Sequence, residues 1–414
     1  MTRVAARLSD PESVRKQFEE ALAQSSPPDT TAHWWHPSLS DGYAGLSLLF
    51  SELRFFEPDY RSVVHEHITR AVKYRIHDPG VINGLAAVAF ASSRSAQHGD
   101  HAILTRQLDS MLEARVRSWT ADGAERHTWY HYDVISGLAG IGRYLLSRPA
   151  TDALVLRNIA DMLAALAEPR VIGKKEVPGW WVDHDLEGKP ISDPFQGHAN
   201  LGLAHGIPGC FATLALLVQA GHGDDRHVHA IQAFAAWILH ERRRDAYGVY
   251  WPTHRSLVDE QSRHRANSSR AAWCYGTPGI ARALQIAGAA TGEPAWESAA
   301  IEAVKDLAKR PEIEWGVADA SLCHGWGGLL QTFSAMHRQA PEPVLERLVE
   351  LTATRAIAQF RPDSLFGFRS HTPGGRRLDR PGFLEGSAGT ALALHAYSTG
   401  LPPKSGWDQA LLLN

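Results

Sequence analysis

The 414-residue sequence predicts an all-α fold, a double-layered α/α toroid of seven inner and seven outer helices, and three observations support this prediction. A short glycine motif recurs along the chain, small apolar residues follow each copy, and amphipathic segments separate the copies. Hydrophobic residues make up 44% of the chain and charged residues 21%, which is the composition of a globular protein. We therefore expect a single toroid domain over residues 1–414.

The repeated motif is Gly-x-x-Gly, and its copies lie about 40 to 70 residues apart, a period typical of arrays of helix pairs. The seven copies are Gly42-Tyr-Ala-Gly45, the variant Gly84-Leu-Ala-Ala87, Gly137-Leu-Ala-Gly140, Gly206-Ile-Pro-Gly209, Gly276-Thr-Pro-Gly279, Gly325-Trp-Gly-Gly328 and Gly386-Ser-Ala-Gly389. Glycine tolerates positive φ and close approach of two backbones, so each copy is expected at a tight turn that starts an inner helix. Tight packing between helices would explain any single copy equally well.

The segments around the motifs differ in how polar residues are distributed. Residues 280–286 follow one motif, are small and apolar, and have no periodic charged face, which predicts a helix buried on most sides. Residues 153–166 instead carry Val155 and Ile159 on one stripe and Arg157 opposite, which is typical of an outer helix. Two such layers, closed into a ring, leave no exposed end that needs capping.

Residues 170–200 interrupt the helical pattern. They contain glycine, proline and the pair Trp180-Trp181. The sequence predicts either a small non-helical extension of the toroid or a long loop at this place.

Charge and apolar patterning exclude several classes of protein. The net charge is −3, and the basic residues are scattered, so nucleic acid is not an expected partner. The N-terminus has no apolar core, and no apolar run approaches the roughly 18 residues of a transmembrane helix. We expect a cytoplasmic protein without a transmembrane segment, whose contact with a membrane-bound complex would be peripheral.

Three cysteines are too few, and odd in number, for a disulfide framework. Cys210 follows its glycine pair and is expected in the core. Cys274 and Cys323 each stand two residues before the first glycine of a motif, in consecutive repeats, and His324 follows Cys323. A Cys, Cys, His trio suits zinc and leaves a fourth tetrahedral position open, as in catalytic zinc sites. The alternative is that both cysteines are small buried hydrophobic residues.

Two further turns carry groups suited to proton transfer. His205 immediately precedes Gly206, the position that His324 occupies in its own repeat, and Asp133 lies four residues before Gly137. A histidine oriented by a carboxylate is the usual pair for moving a proton near neutral pH. A structural role for His205 at a helix start is the alternative.

These residues resemble the lanthionine synthetase C family of lanthipeptide cyclases, over essentially the whole chain. The resemblance is carried by four ordered motifs: Leu203-Ala204-His205-Gly206, Trp273-Cys274-Tyr275-Gly276-x-Pro278-Gly279, Cys323-His324-Gly325 and Phe383-Leu-x-Gly386-x-Ala388-Gly389. It implies a toroid with one Zn²⁺ per chain, held by Cys274, Cys323 and His324. It further implies that His205 and Asp133 form the acid/base pair, and that Arg270 and Tyr275 line the active site.

The implied reaction is an intramolecular Michael-type addition of cysteine thiols to dehydroalanine or dehydrobutyrine, which forms lanthionine or methyllanthionine rings in a dehydrated precursor peptide. His205 would protonate the enolate or serve as base for the thiol, and Arg270 would stabilise the enolate oxygen. The expected partners are the precursor peptide, with its leader and core, a separate dehydratase and an exporter. Two alternatives stay open: a non-catalytic adaptor that binds glutathione or another thiol, and a zinc-dependent prenyltransferase-like thiol alkylation.

Overall fold

The computed structural model describes residues 2–24, 32–121, 128–185, 188–257, 270–372 and 375–414. Within these ranges the chain is mainly helical. The α-helices, in chain order, are α1 (Thr2–Leu8), α2 (Pro11–Gln24), α3 (Tyr43–Leu53), α4 (Tyr60–Ala71), α5 (Leu85–Arg94), α6 (Ala102–Ala121), α7 (Leu138–Leu146), α8 (Ala153–Ala164), α9 (Ile207–Gln219), α10 (Asp225–His240), α11 (Thr277–Thr291), α12 (Pro294–Leu307), α13 (Trp326–Gln339), α14 (Pro343–Ala358) and α15 (Ser387–Thr399).

Short antiparallel strand pairs connect some of the helices. The strands are β1 (Arg170–Ile172), β2 (Lys175–Val177), β3 (His198–Asn200), β4 (Arg243–Asp245), β5 (Gly248–Tyr250), β6 (His254–Ser256), β7 (Ser370–His371) and β8 (Arg377–Leu378). The pairs are β1 with β2, β3 with β6, β4 with β5, and β7 with β8. In the β3–β6 pair, Asn200 stands opposite His254.

Every motif glycine predicted to start a helix does so. Gly42, Gly84, Gly137, Gly206, Gly276, Gly325 and Gly386 immediately precede α3, α5, α7, α9, α11, α13 and α15. The second glycine of a motif allows close backbone approach: a Cβ on Gly140 would lie 2.0 Å from the carbonyl oxygen of Val134. Gly276 differs from the other six, because its φ of 94° lies in a region that side chains rarely adopt.

Burial separates the two predicted kinds of helix. All residues of α3 and residues 277–288 of α11 are buried, as expected for helices without a polar face. In α8, Val155, Ile159 and Leu163 are buried, whereas Arg157 is only partly so. The prediction of buried helices after each glycine turn, with amphipathic helices between them, is confirmed.

Contacts divide the chain into two compact units. The first contains residues 1–110 and 317–413. Within it, α4 packs against α3, α14 against α13 and α15, and α1 against α15 and α3. The imidazole of His67 on α4 hydrogen-bonds the carbonyl of Leu8 on α1, with an N···O distance of 3.2 Å.

The second unit contains residues 111–316 and Asn414. Within it, α8 packs against α7 and α9, α10 against α9, and α12 against α11. The segment 170–200 contains the β1–β2 hairpin and β3, and Trp180 packs its ring 4.8 Å from that of Trp237 on α10. The single-domain assignment of residues 1–414 stays a prediction. No helix in the described ranges has both the length and the apolar character of a membrane span.

Candidate active site

Backbone hydrogen bonds join the glycine turns within each unit. In the second unit the amide of Val134 donates to the carbonyl of Ala204 (3.0 Å), and the amide of Ala204 donates to the carbonyl of Cys274 (3.3 Å). In the first unit the amide of Phe383 donates to the carbonyl of Leu39 (3.0 Å), and the amide of Leu39 donates to the carbonyl of Ile82 (2.7 Å). The turns of each unit are therefore held in similar registers.

We call the residue immediately before the first glycine of each motif the pre-glycine residue. The seven pre-glycine residues are Asp41, Asn83, Ser136, His205, Tyr275, His324 and Glu385. Three of them were predicted as site residues.

His205 and Asp133 lie in direct contact. The Nδ1 atom of His205 is 2.6 Å from Oδ2 of Asp133, and the Asp133 side chain is fully buried, whereas the His205 side chain is 28% exposed. The other carboxylate oxygen, Oδ1, accepts hydrogen bonds from the amides of Ser136 (2.7 Å) and Gly137 (2.9 Å). Three donors thus fix the carboxylate. The carboxylate in turn orients the imidazole, whose Nε2 atom lies on the edge of the ring away from Asp133.

Two aromatic rings border the His205 imidazole. The ring of Trp129 lies 5.1 Å away, tilted by 33°, and that of Tyr275 lies 6.4 Å away. The carbonyl of Trp129 also accepts the amide of Asp133 at 2.9 Å, so this residue shapes the turn that carries the carboxylate. Trp129 was not predicted; its only sequence signal is its place four residues before Asp133.

Tyr275 is held by a side chain that the sequence did not indicate. The buried Asn200 donates its Nδ2 amide to the Tyr275 hydroxyl at 2.9 Å and accepts the amide of Gly202 at 2.8 Å. Arg270, the first described residue after residues 258–269, has an exposed side chain, and the adjacent Ala271 donates its amide to the carbonyl of Trp315. The lining role of Tyr275 and Arg270 stays a prediction.

The three predicted metal ligands come together. The Sγ atoms of Cys274 and Cys323 and one ring nitrogen of His324 all lie within 4.8 Å of one another. In a tetrahedral zinc site with two sulfurs and one nitrogen, such atoms lie about 3.3 to 3.8 Å apart, which is inside the 4.8 Å limit that encloses this group. Within the described ranges, no other group of three such side chains meets this distance. The donor set therefore fits zinc.

Cys210 is not part of this group. It is buried, and its thiol lies 3.2 Å from the carbonyl oxygen of Tyr132, to which it donates. Burial raises the pKa of the Cys210 thiol well above its usual value, which keeps it protonated. Its predicted place in the core is confirmed.

The fold and the site define an all-α protein whose glycine turns carry a Cys, Cys, His group and a His–Asp pair. The chain belongs to the lanthionine synthetase C-like protein family, which it matches over residues 33–412. It is 24% identical over 399 residues to the nisin biosynthesis protein NisC of Lactococcus lactis subsp. lactis, a match that covers 91% of this chain and 88% of that protein. A solved structure of nisin cyclase aligns with a TM-score of 0.76 at 22% identity, covering 97% of this chain and 98% of that one. The likeness confirms the predicted α/α toroid.

Proposed function

We propose that this protein is a zinc-dependent lanthipeptide cyclase, which closes lanthionine and methyllanthionine rings by adding cysteine thiols to dehydroalanine or dehydrobutyrine. The observation that carries the proposal is the grouping of Cys274, Cys323 and His324 within 4.8 Å in a member of this family. The similarity to nisin cyclase supports the same activity.

Cys274, Cys323 and His324 would hold the metal. When bound, Zn²⁺ makes a coordinated thiol far more acidic and presents it as a thiolate. With three protein ligands, a bound zinc ion would have one further position for the substrate cysteine. The partial burial of Cys323 and His324 is consistent with access from outside.

His205 would move the proton. During ring closure a bond forms between the cysteine sulfur and the β-carbon of the dehydro residue, and the α-carbon gains the proton that the thiol loses. Because Asp133 occupies Nδ1 of His205, Nε2 is the atom that exchanges this proton with the substrate. The buried Asp133 carboxylate stabilises the positive charge that the imidazole gains during the reaction. His205 can therefore accept the proton of the thiol and return it to the α-carbon, so that no proton is consumed overall.

Tyr275 and Arg270 would act on the carbonyl next to the reacting carbon. Negative charge develops on this oxygen as the sulfur adds, and a guanidinium or a phenol hydroxyl can stabilise it. The hydrogen bond from Asn200 orients the Tyr275 hydroxyl, and the Tyr275 ring lies 6.4 Å from the ring of His205.

The proposed substrate is a dehydrated precursor peptide with leader and core segments, supplied by a separate dehydratase and removed by an exporter. We place the reaction in the cytoplasm, with peripheral attachment to a membrane-bound complex. The precursor peptide and the dehydratase follow from the chemistry, because the reaction consumes a dehydro residue that another enzyme must form.

The proposal is tested with the zinc-loaded protein and a synthetic peptide in which dehydroalanine precedes cysteine by four residues. Ring closure leaves the peptide mass unchanged, so alkylation with N-ethylmaleimide followed by mass spectrometry counts the thiols that remain. We expect loss of the free thiol with the wild-type protein and its retention with His205→Ala. A wild-type protein that binds the peptide or glutathione but leaves the thiol count unchanged is an adaptor, and the cyclase proposal then fails.

A further inference from the structure

Several pre-glycine side chains are held by a polar side chain from another turn. Asp133 holds His205, Asn200 holds Tyr275, and Ser38 Oγ donates to the amide oxygen of Asn83 at 2.7 Å. The sequence position that carries His205, Tyr275 and His324 is thus one at which the fold orients side chains. Asp41 and Glu385 occupy the same position in turns to which the mechanism assigns nothing.

Asp41 and Glu385 share one arginine. Arg380 donates through Nε to Oδ2 of Asp41 at 2.8 Å and again through Nη2 to the same oxygen, and its Nη1 pairs with Glu385. The side chains of Arg380 and Asp41 are only 8% and 3% exposed, whereas Glu385 is 24% exposed. Two carboxylates against one guanidinium leave this trio with an excess negative charge.

Among the described residues, Arg380 is the one basic side chain that forms an ion pair with Asp41 or Glu385. Both Arg380 donors to Asp41 go to Oδ2, and the buried Oδ1 atom of Asp41 accepts no hydrogen bond from the described residues. A buried carboxylate oxygen without a donor is costly and uncommon in proteins. The trio therefore carries a net negative charge, and Glu385, with 24% of its side chain exposed, is its most accessible member.

The trio adjoins a proposed zinc ligand. The carbonyl of Leu384, the residue before Glu385, accepts the amides of Leu322 at 3.0 Å and Cys323 at 2.9 Å. Glu385 is therefore one residue away from the hydrogen bond that holds the backbone of Cys323. A peptide whose cysteine is bound beside Cys323 would bring its neighbouring side chains to Glu385.

From this arrangement we infer that Glu385, supported by Asp41 and Arg380, forms a subsite for a basic side chain, lysine or arginine, that lies close to the reacting cysteine of the peptide. The inference rests on the proposed function, since it takes a cysteine-containing peptide as the substrate. The Glu385 carboxylate supplies the direct ion pair, and Asp41, whose Oδ1 accepts no hydrogen bond from the described residues, adds to the negative potential behind it.

The test measures binding separately from ring closure. Fluorescein-labelled peptides contain serine in place of the dehydro residue, so they cannot cyclise, and carry lysine at one of the two positions on either side of the cysteine. Each is compared with its acetyl-lysine counterpart by anisotropy on the full-length, zinc-loaded protein. We expect at least one lysine peptide to bind about tenfold more tightly than its acetylated form, as for a hydrogen-bonded ion pair.

Glu385→Gln keeps the size of the side chain and removes its charge. We expect it to weaken lysine-peptide binding about tenfold and to leave acetyl-lysine peptides unaffected. Glu350→Gln, on an exposed face of α14, is the matched control and should preserve the preference. The subsite is overturned if the lysine and acetyl-lysine peptides bind equally well, or if neither binds. It is also overturned if Glu385→Gln weakens the binding of both peptide forms equally. The dehydrated peptides test the function independently: thiol loss without a lysine preference removes only the subsite, and a lysine preference without thiol loss removes only the cyclase proposal.

Discussion

The imidazole of His205 and the carboxylate of Asp133 form a hydrogen bond of 2.6 Å in which the ring is partly exposed and the carboxylate is fully buried. The two residues are 72 positions apart in the chain, and the bond joins the turn before α7 to the turn before α9. The exposed partner can reach a substrate, while the buried one is restricted to orienting and stabilising it.

Asp133→Asn should remove the negative charge that orients His205 and leave the fold unchanged. The amide oxygen of the new side chain can still accept the amides of Ser136 and Gly137, so the turn should persist. Without the carboxylate the imidazolium form of His205 loses its stabilisation, and we expect kcat for ring closure to fall by about 100-fold or more. The rate is measured by the thiol count over time, and metal content should stay at one zinc per chain. An unchanged kcat would return Asp133 to a structural role.

Asn200 and Tyr275 should be energetically coupled. Asn200→Ala removes the donor to the Tyr275 hydroxyl and leaves the amide of Gly202 without its acceptor, and Tyr275→Phe removes the hydroxyl alone. From a double-mutant cycle in urea unfolding we expect a coupling free energy of about 1 kcal/mol. Additive losses in the two variants would mean that the hydrogen bond contributes little.

Cys274→Ala should abolish tight zinc binding. Two remaining ligands, Cys323 and His324, do not suffice for a stable protein site, because three or four ligands are the norm. Cys210→Ala is the matched control: it also removes a buried thiol, but one that is outside the ligand group. Metal analysis after dialysis should give about one zinc per chain for Cys210→Ala and almost none for Cys274→Ala. Retention of zinc by the latter contradicts the ligand assignment.

Two buried histidines should make the protein sensitive to acid. Burial lowers the pKa of His67 to about 3, and burial together with His254 and His184 lowers the pKa of His198 to about 3. The unfolded chain, with a histidine pKa of about 6.5, takes up protons below that pH while the folded protein does not. Stability should thus fall as the pH drops from 6.5 towards 3, by about 2 kcal/mol per histidine at pH 5.

The pH effect is measured by urea unfolding between pH 7.5 and 5. His67→Gln, whose amide can still donate to the carbonyl of Leu8, should lose about 2 kcal/mol less stability than the wild type over this range. The same loss in wild type and variant would mean that His67 is not one of the responsible groups.

Gly276→Ala should damage the proposed metal site through the backbone. The φ of 94° at this residue is strained for any side chain, at a cost of about 1 to 3 kcal/mol, and the strain falls next to Tyr275 and Cys274. Gly292→Ala, at the other end of α11 with φ of 73° and an open surrounding, is the control. Both variants should melt at lower temperature, but only Gly276→Ala should also lose zinc affinity in a chelator competition. Equal zinc affinities would show that the turn tolerates the change.

The helical repeat was predictable because its signal is local. A Gly-x-x-Gly followed by small apolar residues fixes both the turn and the buried helix, and all seven helices begin where the motif places them. The grouping of Cys274 with Cys323 was also predictable, since the two thiols occupy the same position of consecutive repeats. Both the helix starts and the matched cysteine positions can be identified from the few residues around each motif glycine.

The partners of the site residues were not predictable, because they depend on how distant turns pack. Asn200 is 75 residues from the Tyr275 hydroxyl that it contacts, and Arg380 is 339 residues from Asp41. No pattern of residue types connects such pairs. The strands β3 and β6 escape prediction for a different reason: three residues are too few to show alternation.

The turns within each unit are joined by main-chain atoms, and this has an evolutionary consequence. The amide of Val134 and the carbonyl of Ala204 hold two turns together whichever side chain follows them. A pre-glycine residue such as Ser136 can therefore mutate to another chemical type while the architecture that presents it persists. A single substitution at such a position can therefore change the chemistry that a turn presents without any change of scaffold.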